Sequence, residues 1–353
     1  MSHLEERMES DLNYIRDWLW KLGDDVENAL RESKKVLMLK DAEEAYKIIL
    51  GDHPINRASR RCDSLCHTFI ARYLPGAGAL REMAATIRVN VTLERMGDYA
   101  VTICREALQI EGPLAEKFSS RIDRLADDSI EIMSESRKAF RDGNAERAIA
   151  LMQAAKRMEG RMDTFYEELF AEDDRMDGAT MMAIFVTFNM LKRVADQAKN
   201  ICDQTVYAVR GVAKLPKVYQ ILFLDQPGSD LGQMAAAIGR KNFPDTAEFT
   251  VATPAVSQPL SGPLNDFLAE TGLPDEELDT EVLEALGPDF SNFIVFVSLT
   301  GNVTDYIPKI PFHSSALDWS VPENSDMTEQ YRHIRNEITE LVTLMAGSAT
   351  EST

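Results

Sequence analysis

Basic residues are scarce in this chain of 353: 38 Lys and Arg stand against 58 Asp and Glu, for a formal net charge of −20. The shortage is greatest after residue 216, where 21 acids meet 6 bases, a net of −15. Residues 1–216 hold 37 and 32, a net of −5. A nucleic-acid backbone is gripped by clustered Lys and Arg, so this balance argues against nucleic acid as a partner. It also sets the C-terminal part against free anions. Cysteine is equally thin. Cys62, Cys66, Cys104 and Cys202 have neither CxxC nor disulfide-framework spacing, which fits buried thiols in a reducing compartment. Long apolar runs are missing. The most apolar stretch, Ala179 to Leu191, has 13 residues, whereas a membrane span needs about 20. The opening MSHLEERMES is acidic, with no apolar run, unlike a signal peptide or organelle presequence. The expectation is a cytoplasmic, soluble protein.

What the chain does have is a repeat. Leu93 to Cys104, LERMGDYAVTIC, returns 98 positions later as Leu191 to Cys202, LKRVADQAKNIC, with six of twelve positions identical. Asp98 and Asp196 coincide. In the first copy Glu94 stands four residues before its Asp, on the same helix face.

Helical periodicity surrounds both copies. Leu12, Ile15, Leu19, Leu22, Val26 and Leu30 fall at three-and-four spacing, and the pattern continues to about Arg210. Turn chemistry suggests breaks at Lys40-Asp41, Gly51-Asp52-His53-Pro54, Leu74-Pro75-Gly76, Glu111-Gly112-Pro113, Asp142-Gly143 and Asp177-Gly178. LKDAEEA at Leu39 and FRDGNAERA at Phe140 place the first turn alike in both copies. Trp18 and Trp20 read as core packing. The pattern predicts three helices per repeat, repeat one over about 1–110 and repeat two over 111–214.

After Gly211 the texture changes. Val218 to Leu224 and Phe293 to Ser298 read as buried strands, Gln233 to Ile238 and Glu329 to Met345 as helices, and Pro254 to Pro274 as loop. Strand, loop, helix and later strand predict a small α/β domain with a parallel sheet over 217–346. Residues 347–353 read as a flexible tail.

Glu94, Asp98 and Thr102 are spaced by four, as are Lys192, Asp196 and Asn200. Two carboxylates four apart on a helix offer oxygen ligands to a cation, with acids of a neighbouring helix completing the shell. The candidates for that neighbour are Asp63 in repeat one and Asp163 or Glu167 in repeat two. Lys192 interrupts the second stripe, because an ammonium repels a cation and cannot ligate it. It is expected to pair with an acid across the repeat interface instead.

LERMGDYA and the weaker LKRVADQA resemble the paired LERIGDHA-type motifs of PhoU, the phosphate-uptake regulator family built from two three-helix bundles. Leu74-Pro75 through Leu80-Arg81 is similar to that family's P-x-x-x-D-L-R segment, with Ala79 where Asp is usual. The resemblance covers about residues 1–214. It implies a cytoplasmic regulator that binds iron, zinc or other metal ions through the motif acids Glu94, Asp98 and, less strongly, Asp196; with Asp63 as the neighbouring ligand, the expected ion is iron, zinc, manganese or magnesium. It further implies restraint of a phosphate-sensing histidine kinase and of the phosphate ABC transporter. The oligomeric state stays open, a homodimer included.

Leu222 to Ala235, LFLDQPGSDLGQMA, is similar to the phosphate loop of low-molecular-weight tyrosine phosphatases and arsenate reductases, FLC-x-x-N-x-C-R-S-Q-M-A. In that family a thiolate attacks phosphorus while backbone N–H groups and an Arg hold the oxygens. Here Asp225 stands at the nucleophile position, Asp230 at the second Cys and Leu231 at the Arg, with Gly228, Ser229 and Gly232 between and after them. IPKIP at Ile307 and LDWSVPE at Leu317 echo later segments of the family. Two carboxylates and no arginine oppose a phosphate dianion, which points to a pseudophosphatase and a protein that is not an enzyme. The expected fold is a duplicated three-helix bundle, PhoU-like, followed by a phosphatase-type α/β domain. The competing readings are a phosphatase using Asp225, a metal-dependent hydrolase using Glu94 and Asp98, and a ligand-free structural adaptor.

Overall fold

The computed structural model describes residues 3–110, 112, 114–155, 177–212, 218–254, 259–274, 278–286, 290, 292–311, 314–319, 321 and 326–347. The chain divides into two compact units, Met1–Lys214 and Leu215–Thr353.

The first unit is helical among its described residues. α1 (His3–Leu39), α2 (Ala42–Tyr73) and α3 (Ala77–Ala107) precede α4 (Glu116–Arg141), α5 (described over 145–155) and α6 (Gly178–Arg210). The α1–α2 turn is closed by Asp41, whose Oδ1 accepts the Glu44 N–H at 3.0 Å, so one of the orphan donors of the first turn is satisfied. Asp177 caps α6 in the same way through the Thr180 N–H at 2.9 Å. α2 ends on Leu74 in the left-handed region (φ 43), just before Pro75, and α6 ends on Gly211 (φ 70). One expected break is absent. α2 runs unbroken through Gly51-Asp52-His53-Pro54: Pro54 removes a single donor and disturbs one turn, and the burial of Ala45 upstream and Ile55, Cys62 and Phe69 downstream holds the helix together.

The apolar stripe of α1 is buried as its spacing predicts, from Leu12 to Leu30 and on to Val36 and Leu37. Each such side chain contributes about 1.5–3 kcal/mol on leaving water. The cores cross the repeat boundary. Leu22, Val26, Cys62, Met83 and Met96 pack with Ile130 and Met133 of α4 and Val194 and Ile201 of α6, while Val36, Ile103 and Cys104 pack with Phe118, Ile122 and Ile184. All four cysteines are free and buried. Burial pushes the thiols of Cys104 and Cys202 up to about 12, so at neutral pH they are unreactive apolar fillers. Trp18 packs on the core and donates its indole N–H to the Ala58 carbonyl at 3.0 Å. Trp20 is different: the guanidinium groups of Arg137 and Arg141 lie 4.4 and 4.1 Å from its ring centroid.

The second unit is a small α/β domain. β1 (Tyr219–Leu224), β2 (Ala247–Thr253), β3 (Glu281–Val282), β4 (Val295–Ser298) and β5 (Ser315–Asp318) form one sheet in the order β3-β2-β1-β4-β5, every pair parallel. α7 (Leu231–Asn242), α8 (Gly262–Thr271), α9 (Val303–Tyr306) and α10 (Met327–Ala346) accompany it. Alternation along β1 feeds two cores. Ile221 and Phe223 pack with Met234, Ile238, Ile334 and Ile338, whereas Leu222 and Leu224 pack with Phe296, Val303 and Ile307. The segment 254–274, expected as loop, contains α8: Ser261 caps the Leu264 N–H, a proline sits in the first turn and Gly272 (φ 64) closes it. The tail expected over 347–353 lies, beyond residue 347, outside the described residues.

Among the described residues no helix is long and apolar enough to cross a membrane.

Candidate functional site

α2 and α3 form an antiparallel hairpin around Pro75, so residues equidistant from it face one another. Asn90 donates to the Ser59 carbonyl at 3.0 Å, and a Cβ at Gly97 would lie 3.4 Å from Ile55 and 3.5 Å from Oδ1 of Asp52. Gly97 therefore lies directly against the Ile55 and Asp52 side chains of α2. Asp98, 23 residues after Pro75, meets Asp52, 23 residues before it.

The chemistry of this spot is that of crowded carboxylates. The Glu94 carboxyl is held above its ordinary range by burial first, then by the charges of Asp98 and Asp52, against the opposing pull of Arg95 and Arg60. Asp98 is raised by burial and by Asp52, against Arg105. Asp52 accepts the Asn56 amide N–H at Oδ2, 2.7 Å away, while its Oδ1 is buried with no hydrogen-bond partner. An orphaned buried carboxylate oxygen beside two further acids is a donor set of the hard-oxygen kind that takes a divalent cation. In chemistry the residues fit such an ion. As the side chains stand, no three His, Cys, Asp or Glu among the described residues converge as a ligand group.

The neighbour expected from the sequence was Asp63, and the structure puts Asp52 there instead. Asp63 lies eleven residues along α2, about 16 Å by helical rise. Its Oδ2 is 3.4 Å from Nδ1 of His67 on its own helix. In the second copy Lys192 does not reach across the repeat interface; its Nζ is 3.9 Å from Oδ2 of Asp196, one turn away on α6. An ammonium at that distance opposes a cation at Asp196 by charge repulsion. Asp163 and Glu167 lie outside the described residues.

The loop from β1 to α7 lies at the carboxyl edge of the sheet, where parallel α/β folds place their ligand crevices. Asp225 is 1 % exposed. Its Oδ1 accepts the Gln226 N–H at 2.8 Å and the Thr300 hydroxyl at 3.4 Å, and its Oδ2 accepts the Gly232 N–H at 2.7 Å. Burial raises this carboxyl above the aspartate range, and those donors, with the Ser229 hydroxyl, oppose the rise. The carboxylate thus occupies the backbone N–H groups of this loop from inside. Gly228 takes φ +90 at the turn, and a Cβ at Gly232 would come within 2.6 Å of Val251. Asp230 accepts the Ser261 hydroxyl at Oδ2, 2.6 Å away, and Leu231 is buried in the core, so the position of Leu231 offers a ligand no polar group. Thr300 and Tyr306, whose hydroxyls lie 2.8 Å apart, complete the surroundings of Asp225 and had no motif to reveal them.

Fold and site together define a helical unit with an acidic hairpin and a parallel α/β domain whose β1–α7 loop is closed on the internal carboxylate of Asp225. Residues 19–107 match the PhoU domain family model. The phosphate-specific transport system accessory protein PhoU of Edwardsiella tarda is 26% identical over 212 residues, 59% of this chain and 87% of its own. Its counterpart in Escherichia coli (strain K12) is 25% identical over the same length, 59% and 88%. Among solved structures, the phosphate transport system regulatory protein PhoU from Streptococcus pneumoniae superposes with a TM-score of 0.55 at 25% identity, covering 59% of this chain and 99% of that one. PhoU from Pseudomonas aeruginosa gives 0.55 at 26%, covering 58% and 99%. The N-terminal 59% or so of the chain thus has PhoU homologues, which are accessory and regulatory proteins of phosphate transport.

Proposed function

We propose that the protein is a cytoplasmic regulator of phosphate uptake and of phosphate-starvation signalling, acting by contact with a phosphate-sensing histidine kinase and with components of the phosphate ABC transporter. The observation that carries this reading is the likeness of the helical unit to PhoU accessory proteins along nearly their whole length. The regulator works by docking rather than by catalysis. Asp52, Glu94 and Asp98 would hold a divalent cation in the first hairpin, where the ion would neutralise three mutually repelling acids and stiffen the α2–α3 face. The α/β domain is a pseudophosphatase: the internal carboxylate of Asp225 supports this reading, since the N–H groups that would bind a phosphate already hold it. The same contacts count against Asp225 as a nucleophile, because both its oxygens are engaged.

Deleting the gene in cells grown on plentiful phosphate tests the reading. Phosphate uptake or starvation-gene expression should rise. Normal uptake together with a normal starvation response in the deletion strain would move the function elsewhere.

A further inference from the structure

α3 and α6 pack side by side in the helical unit and leave a groove of about 390 Å³ between them. Its charged lining is unusual for so acidic a chain. Arg88 and Arg95, two helical turns apart on α3, face the groove with the single carboxylate of Asp203 among the lining residues. Arg95 also feels Glu94, its neighbour in the chain. The guanidinium of Arg88 is already oriented: it lies 5.4 Å from the Tyr207 ring centroid and donates to Oε1 of Gln204 at 3.2 Å. A stacked, pre-aimed fork loses less freedom on binding than a mobile one. Beside the arginines stand the amides of Gln197 and Asn200, joined at 3.2 Å, which suit hydroxyl groups. Its two arginines project about a quarter turn around α3 from the acids that face α2, so the groove adjoins the acidic hairpin without including its carboxylates. Packing does not demand its arginine–tyrosine pair. At the 98-residue offset, Val186 stands where Arg88 does and Gln109 where Tyr207 does.

We infer that this groove binds a small phosphomonoester, its phosphate held by Arg88 and Arg95 and its hydroxyls by Asn200, which Gln197 orients. Two guanidinium groups on one wall favour a dianion with three terminal oxygens, whereas a carboxylate is satisfied by one fork. The volume exceeds what inorganic phosphate fills and suits a sugar phosphate or nucleoside monophosphate. The inference stands on the groove alone, so a deletion strain with unaltered phosphate uptake leaves it intact.

Calorimetric titration of the full chain at low salt tests it, with glucose 6-phosphate, adenosine 5′-monophosphate, inorganic phosphate, gluconate and glucose as probes. At least one phosphomonoester should saturate the protein and weaken as salt is added, gluconate should bind more weakly, and glucose should give no heat. Arg88→Gln and Arg95→Gln should each weaken binding about tenfold or more. Arg88→Lys, which keeps the charge but loses the fork and the stack, should fall between. Both arginines are exposed, and an unchanged thermal melt verifies that the variants fold. Absence of saturation by both phosphomonoesters, or undiminished binding in both glutamine variants, overturns the assignment. Gluconate or inorganic phosphate binding as tightly as the phosphomonoesters also overturns it, by assigning the groove to anions in general.

Discussion

Gln197 donates its side-chain amide to the hydroxyl of Tyr99 at 3.5 Å, and the two residues are 98 positions apart. That separation is the offset of the repeat, so equivalent positions of LERMGDYA and LKRVADQA touch each other. Arg88, earlier on α3, meets Gln204 and Tyr207, later on α6, so the two helices run antiparallel through this contact, as a two-fold relation between the copies requires. Rotation by about half a turn should therefore lay α3 on α6 and carry α1 onto α4. A crystal structure of the helical unit checks this directly, and helices that fail to superpose at the 98-residue offset would sink the duplication.

A second expectation concerns Gly23, buried in the middle of α1. Alanine in place of an interior helical glycine ordinarily gains about 1 kcal/mol. Here the added Cβ would sit 2.2 Å from Nε of Arg137, a guanidinium only 4 % exposed that pairs with Asp24 at 2.6 Å and Glu27 at 2.7 Å. Dislodging a buried paired charge costs about 3–5 kcal/mol, and the sign of the substitution reverses. Gly23→Ala should destabilise the protein by roughly 2 kcal/mol in urea titration, the low side of that difference because Asp24 is exposed. A stabilised variant would show that Arg137 relaxes without loss.

Much of the architecture was legible because it rests on local rules. The three-and-four spacing of Leu12 to Leu30, the caps at Asp41 and Asp177, and the two apolar strands of the α/β domain carry their structure in neighbouring residues. The misses have equally physical causes. Gly51 to Pro54 carries every mark of a turn, yet packing on both sides carries the helix through. That single misreading also hid the acidic site: with α2 unbroken, symmetry about Pro75 pairs Asp98 with Asp52 and leaves Asp63 opposite Ile87. β2 was legible in principle, since Ala247 to Val251 alternates apolar and polar strictly, and went unread; β3 and β5 are only two and four residues long and carry no such period. Thr300 reaches Asp225 across 75 positions, a relation that no local pattern encodes.

The carboxylates of the hairpin set a third expectation, through pH. Glu94 and Asp98 titrate above their unfolded values, so the folded state binds protons more tightly than the unfolded one. Their unfavourable contribution is absent below the unfolded pKa and grows as pH rises through the folded pKa. Glu94→Gln should thus stabilise the metal-free protein at pH 7 by about 0.5 kcal/mol, the scale of a like-charge pair on a helix. The gain should vanish near pH 3.5. Manganese or magnesium should reverse the order, stabilising the parent chain by about 2.7 kcal/mol at a hundredfold excess over Kd and leaving Asp52→Asn with Asp98→Asn unmoved. Equal metal stabilisation of parent and double variant would exclude this hairpin as the ion site.

The last expectation falls on Asp225, where resemblance to a phosphatase and local chemistry part company. Both its oxygens are taken by the N–H groups of Gln226 and Gly232 and the hydroxyl of Thr300, no arginine stands between Asp225 and Gly232, and the residues after 216 carry a net charge of −15. The protein should not hydrolyse p-nitrophenyl phosphate above background, with or without divalent metal, and Asp225→Asn should change nothing in that assay. Asp225→Ala makes the sharper test. Removing the carboxylate leaves two buried N–H donors unpaired, a cost of about 1–3 kcal/mol, and at the same time opens the cradle to an outside anion. The variant should melt at a lower temperature than the parent and recover part of the loss in millimolar sulfate, while the parent, whose cradle is full, should respond only weakly. Turnover that disappears in Asp225→Asn would establish an aspartyl nucleophile. A parent and an alanine variant that respond alike to sulfate would show that the carboxylate does not stand in for an anion.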